Sequence, residues 1–257
     1  MDILTSKADG ILTIEFNRVA RKNAITAVMY QAMADAINGA EGDVEVRAIL
    51  IAGSPEIFTA GNDLDDFLNN TGDGAMTEDR PVFRFMRALE GCTKPVVAAV
   101  AGAAVGIGTT MLMHCDLVYA ADNAKFSMPF VQLGLCPEFA SSVLFPGIAG
   151  YPRAAEKLLL GEAFPAQEAY QMGMVSKVLP LDELIPFATR QAAKLVALPA
   201  ASIRATKGLM KRAKADQIEA ALQAEVELFS AMLQAPEAKE AFTAFFEKRK
   251  PDFSKFV

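Results

Sequence analysis

The stretch KPVVAAVAGAAVGIGTTMLMHCDLVYA, residues 94–120, decides the architecture. It opens with an apolar run ending in Gly102, passes through a glycine-punctuated turn at Gly106–Gly108 and enters a long apolar segment. A short apolar run bounded by glycine reads as a strand, and the turn that follows marks entry into an apolar helix. The same grammar repeats outward. ILTIEFN from Ile11 alternates in polarity, and RAILIAG at 47–53 is a further apolar run closed by glycine, so both read as strands. Between them Thr26 is placed to cap a helical pattern that runs to Ala40, and a second helical pattern spans about Pro81 to Leu89. Strands alternating with helices make the class α/β. After Ala200 the pattern is helical throughout. Phe242, Phe245 and Phe246 form the apolar stripe of the last helix, expected to pack on the core or across a subunit contact. Residues Asp65 to Arg80 lack apolar periodicity and read as a surface loop, with a lid as the alternative.

The 257 residues suffice for one large domain or a domain with a helical appendage. With 52% apolar and 22% charged residues, the chain is neither collagenous nor disordered. A net charge of −6 without a basic stripe disfavours a nucleic acid partner. Cys92, Cys115 and Cys136 form no CxxC pair and read as three buried thiols, so neither a structural metal site nor a disulfide framework is expected. The N-terminal MDILTSKADG has no signal-peptide pattern, no apolar run reaches membrane-span length, and the terminal SKFV is not an SKL address. The expected location is cytoplasmic.

The glycine turn at 106–108 leaves backbone amides free at a helix start, where an anion or the developing oxyanion of a carbonyl can be held. It lacks the GxGxxG order of a dinucleotide fold. A second glycine turn, FTAGNDL at 58–64, follows the strand ending at Gly53. Two such turns delivering donors to one pocket are what an oxyanion hole requires.

These segments, together with NRVARKNAI (17–25), CDLVYAADNAKFSMPFVQLGLCPE (115–138) and LLLGEAFPAQEAYQMGMVSKV (158–178), resemble the crotonase, or enoyl-CoA hydratase/isomerase, superfamily. The resemblance implies a spiral of ββα repeats over residues 1–199 with a C-terminal helical region at 200–257, an acyl-CoA thioester substrate, and homotrimers or dimers of trimers. It places two thioester-oxygen donors on the backbone amides of Asn62 and Ile107. The aliphatic Ile107 looks more like the peroxisomal-type Δ3,Δ2-enoyl-CoA isomerases. Arg21 and Lys22 fall where relatives contact the nucleotide phosphates, and the backbones of Ala24, Ala60, Asp63 and Leu64 line the adenine and pantetheine path. No metal or separate cofactor is implied, coenzyme A being part of the substrate.

The acid/base positions discriminate the reaction. Hydratases of the family use two glutamates, and those positions are Thr110 and Phe130 here. Neither side chain can take a proton from water or supply one to carbon. Glu138, in GLCPEFASS, falls instead on the isomerase base, in apolar and small-residue surroundings that raise a carboxyl's proton affinity. The resemblance therefore implies an isomerase converting 3-enoyl-CoA to 2-trans-enoyl-CoA. An enoyl-CoA hydratase and a non-catalytic acyl-CoA-binding subunit stay open as alternatives. His114, the single histidine, has no nucleophile partner in sequence and reads as structural. Cys136 reads as core or pocket wall.

Overall fold

A computed structural model describes residues 1–66 and 79–256. The chain enters through an antiparallel hairpin, β1 (Ile3–Ala8) and β2 (Ile11–Phe16), turning at Asp9 and Gly10 with φ of 50° and 78°. Asp-Gly suits a turn in which both central residues are left-handed. Strand β1 escapes the hydropathy reading because five of its six residues are exposed. Next come α1 (Ala27–Gly42), β3 (Ala48–Ala52), β4 (Ile57–Thr59), α2 (Pro81–Gly91), β5 (Val96–Val100), β6 (Ala103–Val105), α3 (Ile107–Thr110), β7 (Leu117–Ala121) and β8 (Lys125–Ser127). The Thr26 hydroxyl caps α1 by accepting from the Met29 amide at 3.3 Å.

The strands divide between a six-stranded sheet, β1-β2-β3-β5-β7 with a later strand β10 (Lys177–Leu179) at its edge, and a four-stranded one, β4-β6-β8 with β9 (Phe164–Pro165). Each consecutive pair, β3/β4, β5/β6 and β7/β8, gives one strand to each sheet. That is the ββα spiral, with parallel pairing from β2 through β10 and from β4 through β8. Both faces of the large sheet are covered, which is why β3 and β5 are buried at every position and apolar at every position. Ile49, Ile51, Val96 and Val100 face the main core, while Leu50, Val97 and Ala99 face Ala188 and Ala192 on helix α7 (Leu181–Ala197).

The apolar segment after the glycine turn is not one long helix. α3 ends at Thr110 and a 3-10 turn covers Met111–His114, because the chain must return beside β5 by Leu117. The remaining helices are α4 (Ser141–Ala149), α5 (Tyr151–Leu160), α6 (Ala166–Gln171), α8 (Ala200–Arg212), α9 (Ala215–Gln234) and α10 (Pro236–Phe246). α9 packs on α4, and α10 packs on α9 and on the turn at Val131–Leu133. Of the loop expected at 65–80, Asp65 and Asp66 are helical, and residues 67–78 lie outside the described residues. No helix among the described residues is long and apolar enough to cross a membrane.

Candidate active site

The NRVARKN segment forms a knot around Asn23, which is fully buried. Its Oδ1 accepts from the Arg18 amide at 2.8 Å, and its Nδ2 donates to the Ile57 and Phe58 carbonyls at 3.1 Å each. Lys22 and Asn23 are both left-handed, with φ of 52°. The knot lays Ile25 against the 58–64 turn: the Ile25 amide donates to the Gly61 carbonyl and the Asp63 amide to the Ile25 carbonyl. In such a parallel bridge the amide of the intervening residue, Asn62, points to the opposite side.

That side holds the second glycine turn. Gly61 has φ +84°, and a Cβ on it would stand 2.7 Å from the Val105 carbonyl oxygen, so only glycine lets the two turns touch. Gly106, with φ 56° and ψ −121°, then turns the chain so that Ile107 begins α3. A first-turn amide has no acceptor within its own helix. Among the described residues no bonded acceptor occupies the Asn62 or the Ile107 amide. Two converging amides of this kind can polarise a carbonyl oxygen.

Both amides open on a cleft of about 970 Å³. All nine sequence-nominated residues line it: Arg21, Lys22, Ala24, Ala60, Asn62, Asp63, Leu64, Ile107 and Glu138. Glu138 is only 8% exposed, and among the described residues its Oε1 has no hydrogen-bond partner. Burial, and secondly the nearby Glu225 carboxylate, push its carboxyl up to about 8. Its loop is fixed from behind. The Ser141 hydroxyl donates to the Glu138 carbonyl at 2.6 Å, and Glu225 accepts from the Ala140 and Ser142 amides at 2.6 and 3.0 Å. Burial pushes His114 down to about 3, so the ring is neutral. Its Nε2 donates to the Phe139 carbonyl at 2.9 Å, and the ring stacks on Phe139 at 3.8 Å. The lone histidine is thus structural and sits behind the Glu138 loop.

Of the two positions where the resemblance puts the hydratase glutamates, Phe130 is on the cleft wall and Thr110 is fully buried off it. The Tyr30 hydroxyl donates to Asn62 Oδ1 at 2.5 Å, orienting that side chain, a contact no sequence pattern announces. Asp63, 4% exposed, is held below the usual carboxylate range: burial pushes it up, but the Arg18 guanidinium at 2.7 Å and the Asp66 amide outweigh that. Arg21 also pairs with Asp65 at 3.1 Å.

The far wall comes from the C-terminal helices, which sequence reasoning read only as packing. Phe229 of α9 and Phe242, Phe245 and Phe246 of α10 line the cleft, with Lys250 and Phe253 beyond them. The available signal was a phenylalanine stripe wider than one buried face: Phe245 is 58% exposed and Phe246 47%. Lys22 and Lys250 have no acidic partner among the described residues, leaving a basic mouth. Cys92 is buried as expected, whereas Cys115 and Cys136 are only partly so. Burial pushes the three thiols up to about 12, 12 and 11, which keeps them protonated. No cluster of three metal-ligating side chains occurs among the described residues.

The family model described as enoyl-CoA hydratase/isomerase matches residues 6–255. The solved enoyl-CoA hydratase/isomerase from Pseudoalteromonas atlantica T6c is 36% identical, with a TM-score of 0.94 over 98% of this chain and 100% of that one. The 2,3-dehydroadipyl-CoA hydratase of Escherichia coli K12 is 29% identical over 98% of both chains. Enoyl-CoA delta isomerase 2 of Rattus norvegicus is 35% identical over 96% of this chain, which spans 64% of that protein's length. The names of these relatives divide between water addition and double-bond migration.

Proposed function

The chain belongs to the enoyl-CoA hydratase/isomerase family, and on that premise we propose that it moves the double bond of a 3-enoyl-CoA to the 2-trans position with one carboxylate as acid and base. The observation that carries this reading is Glu138. Among the described residues of the cleft it is the one carboxyl not tied to an arginine, since Asp63 and Asp65 are both paired.

In the proposed cycle the thioester oxygen accepts from the Asn62 and Ile107 amides. The Glu138 carboxylate takes a proton from C2, the C2–H electron pair moves into the conjugated system, and a dienolate forms whose oxygen charge the two amides stabilise. The same carboxyl returns the proton at C4, the double bond settles between C2 and C3, and the carboxylate is regenerated. A proton affinity near neutrality suits a group that must both take and give a proton. No metal or redox group is needed for this transfer. Arg21, Lys22 and Lys250 are proposed to hold the nucleotide phosphates, and the backbones at Ala24, Ala60, Asp63 and Leu64 to follow the adenine and pantetheine. Assembly as a homotrimer or a dimer of trimers is proposed by resemblance.

The E. coli relative's name favours a second reading, water addition to a 2-enoyl-CoA. Thr110 and Phe130 weigh against it, since neither can orient and deprotonate water. Incubating the protein with a 3-enoyl-CoA and a 2-enoyl-CoA, and following the absorbance of the conjugated thioester, separates the two. Conjugation of the 3-enoyl substrate that disappears in Glu138→Gln supports the isomerase. Loss of conjugation from the 2-enoyl substrate, surviving in Glu138→Gln, refutes it.

A further inference from the structure

Glu138 is followed by two non-glycine residues in the left-handed region, Phe139 at φ 58° and Ala140 at φ 54°. Side-chain-bearing residues adopt that conformation in succession only where the surroundings impose it. Four bonds do so here: Ser141 Oγ to the Glu138 carbonyl, His114 Nε2 to the Phe139 carbonyl, and the two amides of Ala140 and Ser142 to the carboxylate of Glu225. Among the described residues Glu225 is the one charged partner of this turn. It reaches across from α9 and is itself only 6% exposed. Burial raises the proton affinity of the Glu225 carboxyl, while the amide hydrogens that both its oxygens accept work against that and favour the ionised form, and such bonds are charge-assisted. Glu225 and Glu138 also share a small apolar recess walled by Val82, Met86, Phe139 and Leu222.

We propose that Glu225 is a positioning residue, whose carboxylate clamps the left-handed Phe139–Ala140 turn and so aims the Glu138 carboxyl into the cleft. The proposal rests on Glu138 being the base. The titratable groups facing Glu138 are Glu225 from α9, Tyr30 from α1 and Cys136 on its own loop, while His114 faces Phe139. Tyr30 and Cys136 are pushed up by burial and stay neutral, so Glu225 is the negative charge that Glu138 meets. Removing it lowers the proton affinity of Glu138.

Glu225→Gln keeps the shape but removes the charge and sets an amide donor against a backbone donor. In steady-state assays with a 3-enoyl-CoA we expect kcat to fall more than about 10-fold, as a catalytic group displaced by a fraction of an ångström does. KM should change little, and the acidic limb of the pH–rate profile should move to lower pH. Glu225→Asp, which keeps the charge on a shorter arm, should lower kcat without moving that limb. Wild-type kcat and an unmoved limb in Glu225→Gln, alongside an inactive Glu138→Gln, overturn the positioning role alone. If Glu225→Gln shows no cooperative melting, Glu225→Asp decides, a lowered kcat supporting the clamp and a wild-type kcat overturning it. An active Glu138→Gln overturns the base reading and the clamp with it.

Discussion

Burying Glu138 for chemistry has a stability consequence whose size and pH window follow from its surroundings. Its carboxyl is shifted from an ordinary 4.5 to about 8, first by burial and then by Glu225. Between those two values the folded chain holds a proton that the unfolded chain releases. The native state is therefore fully favoured by this group below about pH 4.5 and loses that contribution as pH rises through about 8. At about 1.4 kcal/mol per pH unit the whole gap is worth on the order of 5 kcal/mol, an upper limit once local relaxation and water entry are allowed. Glu138→Gln fills the same volume without the charge and removes the penalty. Relative to wild type it should be within about 1 kcal/mol at pH 5 and more stable by at least about 2 kcal/mol at pH 9. For a domain of this size that is an increase of about 4 to 8 °C in Tm. Thermal melts of both proteins at pH 5, 7 and 9 measure it. A Tm difference independent of pH, or a mutant less stable than wild type at pH 9, refutes the picture of a buried carboxyl kept protonated by its environment.

The same shift sets the rate profile: with about one active site in ten ionised at pH 7, kcat/KM for a 3-enoyl-CoA should rise about 10-fold between pH 7 and pH 9. A profile flat above pH 6 contradicts the assignment. Gly106→Ala adds a Cβ that meets only the Phe130 ring, at 4.0 Å, but strains a backbone at φ 56° and swings the Ile107 amide away. Loss of one oxyanion donor should lower kcat by about 10²- to 10³-fold while the far-ultraviolet dichroism stays native. Lys22→Ala should raise KM for acyl-CoA by a few-fold with kcat unchanged, and the effect should shrink as salt is raised, since an exposed cation's attraction to phosphate is screened.

Much of this site is legible in the linear sequence because it is built from backbone. The Gly61 and Gly106 turns are conspicuous since only glycine tolerates the contact at Gly61 with Val105 and the φ,ψ pair at Gly106, and each turn follows a strand whose burial makes it continuously apolar. Thr110 and Phe130 stand out only through the family resemblance, which puts the hydratase glutamates at those positions, and neither side chain can act as an acid or base there. Short strands such as β4, β6 and β8 carry three residues each, too few for a period, and β1 exposes nearly all of its length.

What the sequence determined by itself is therefore the α/β class and the two glycine turns, since each depends on local backbone geometry, whereas Glu138 stands out in the sequence only through the family resemblance. The tertiary structure alone decided what surrounds that carboxylate. Glu225, Tyr30, His114 and the phenylalanines of α9 and α10 come from distant segments, and their effect on Glu138 or on the cleft arises from proximity, charge and exclusion of water. Those quantities exist only once the chain is folded, because the same residues in the unfolded chain are hydrated and far apart.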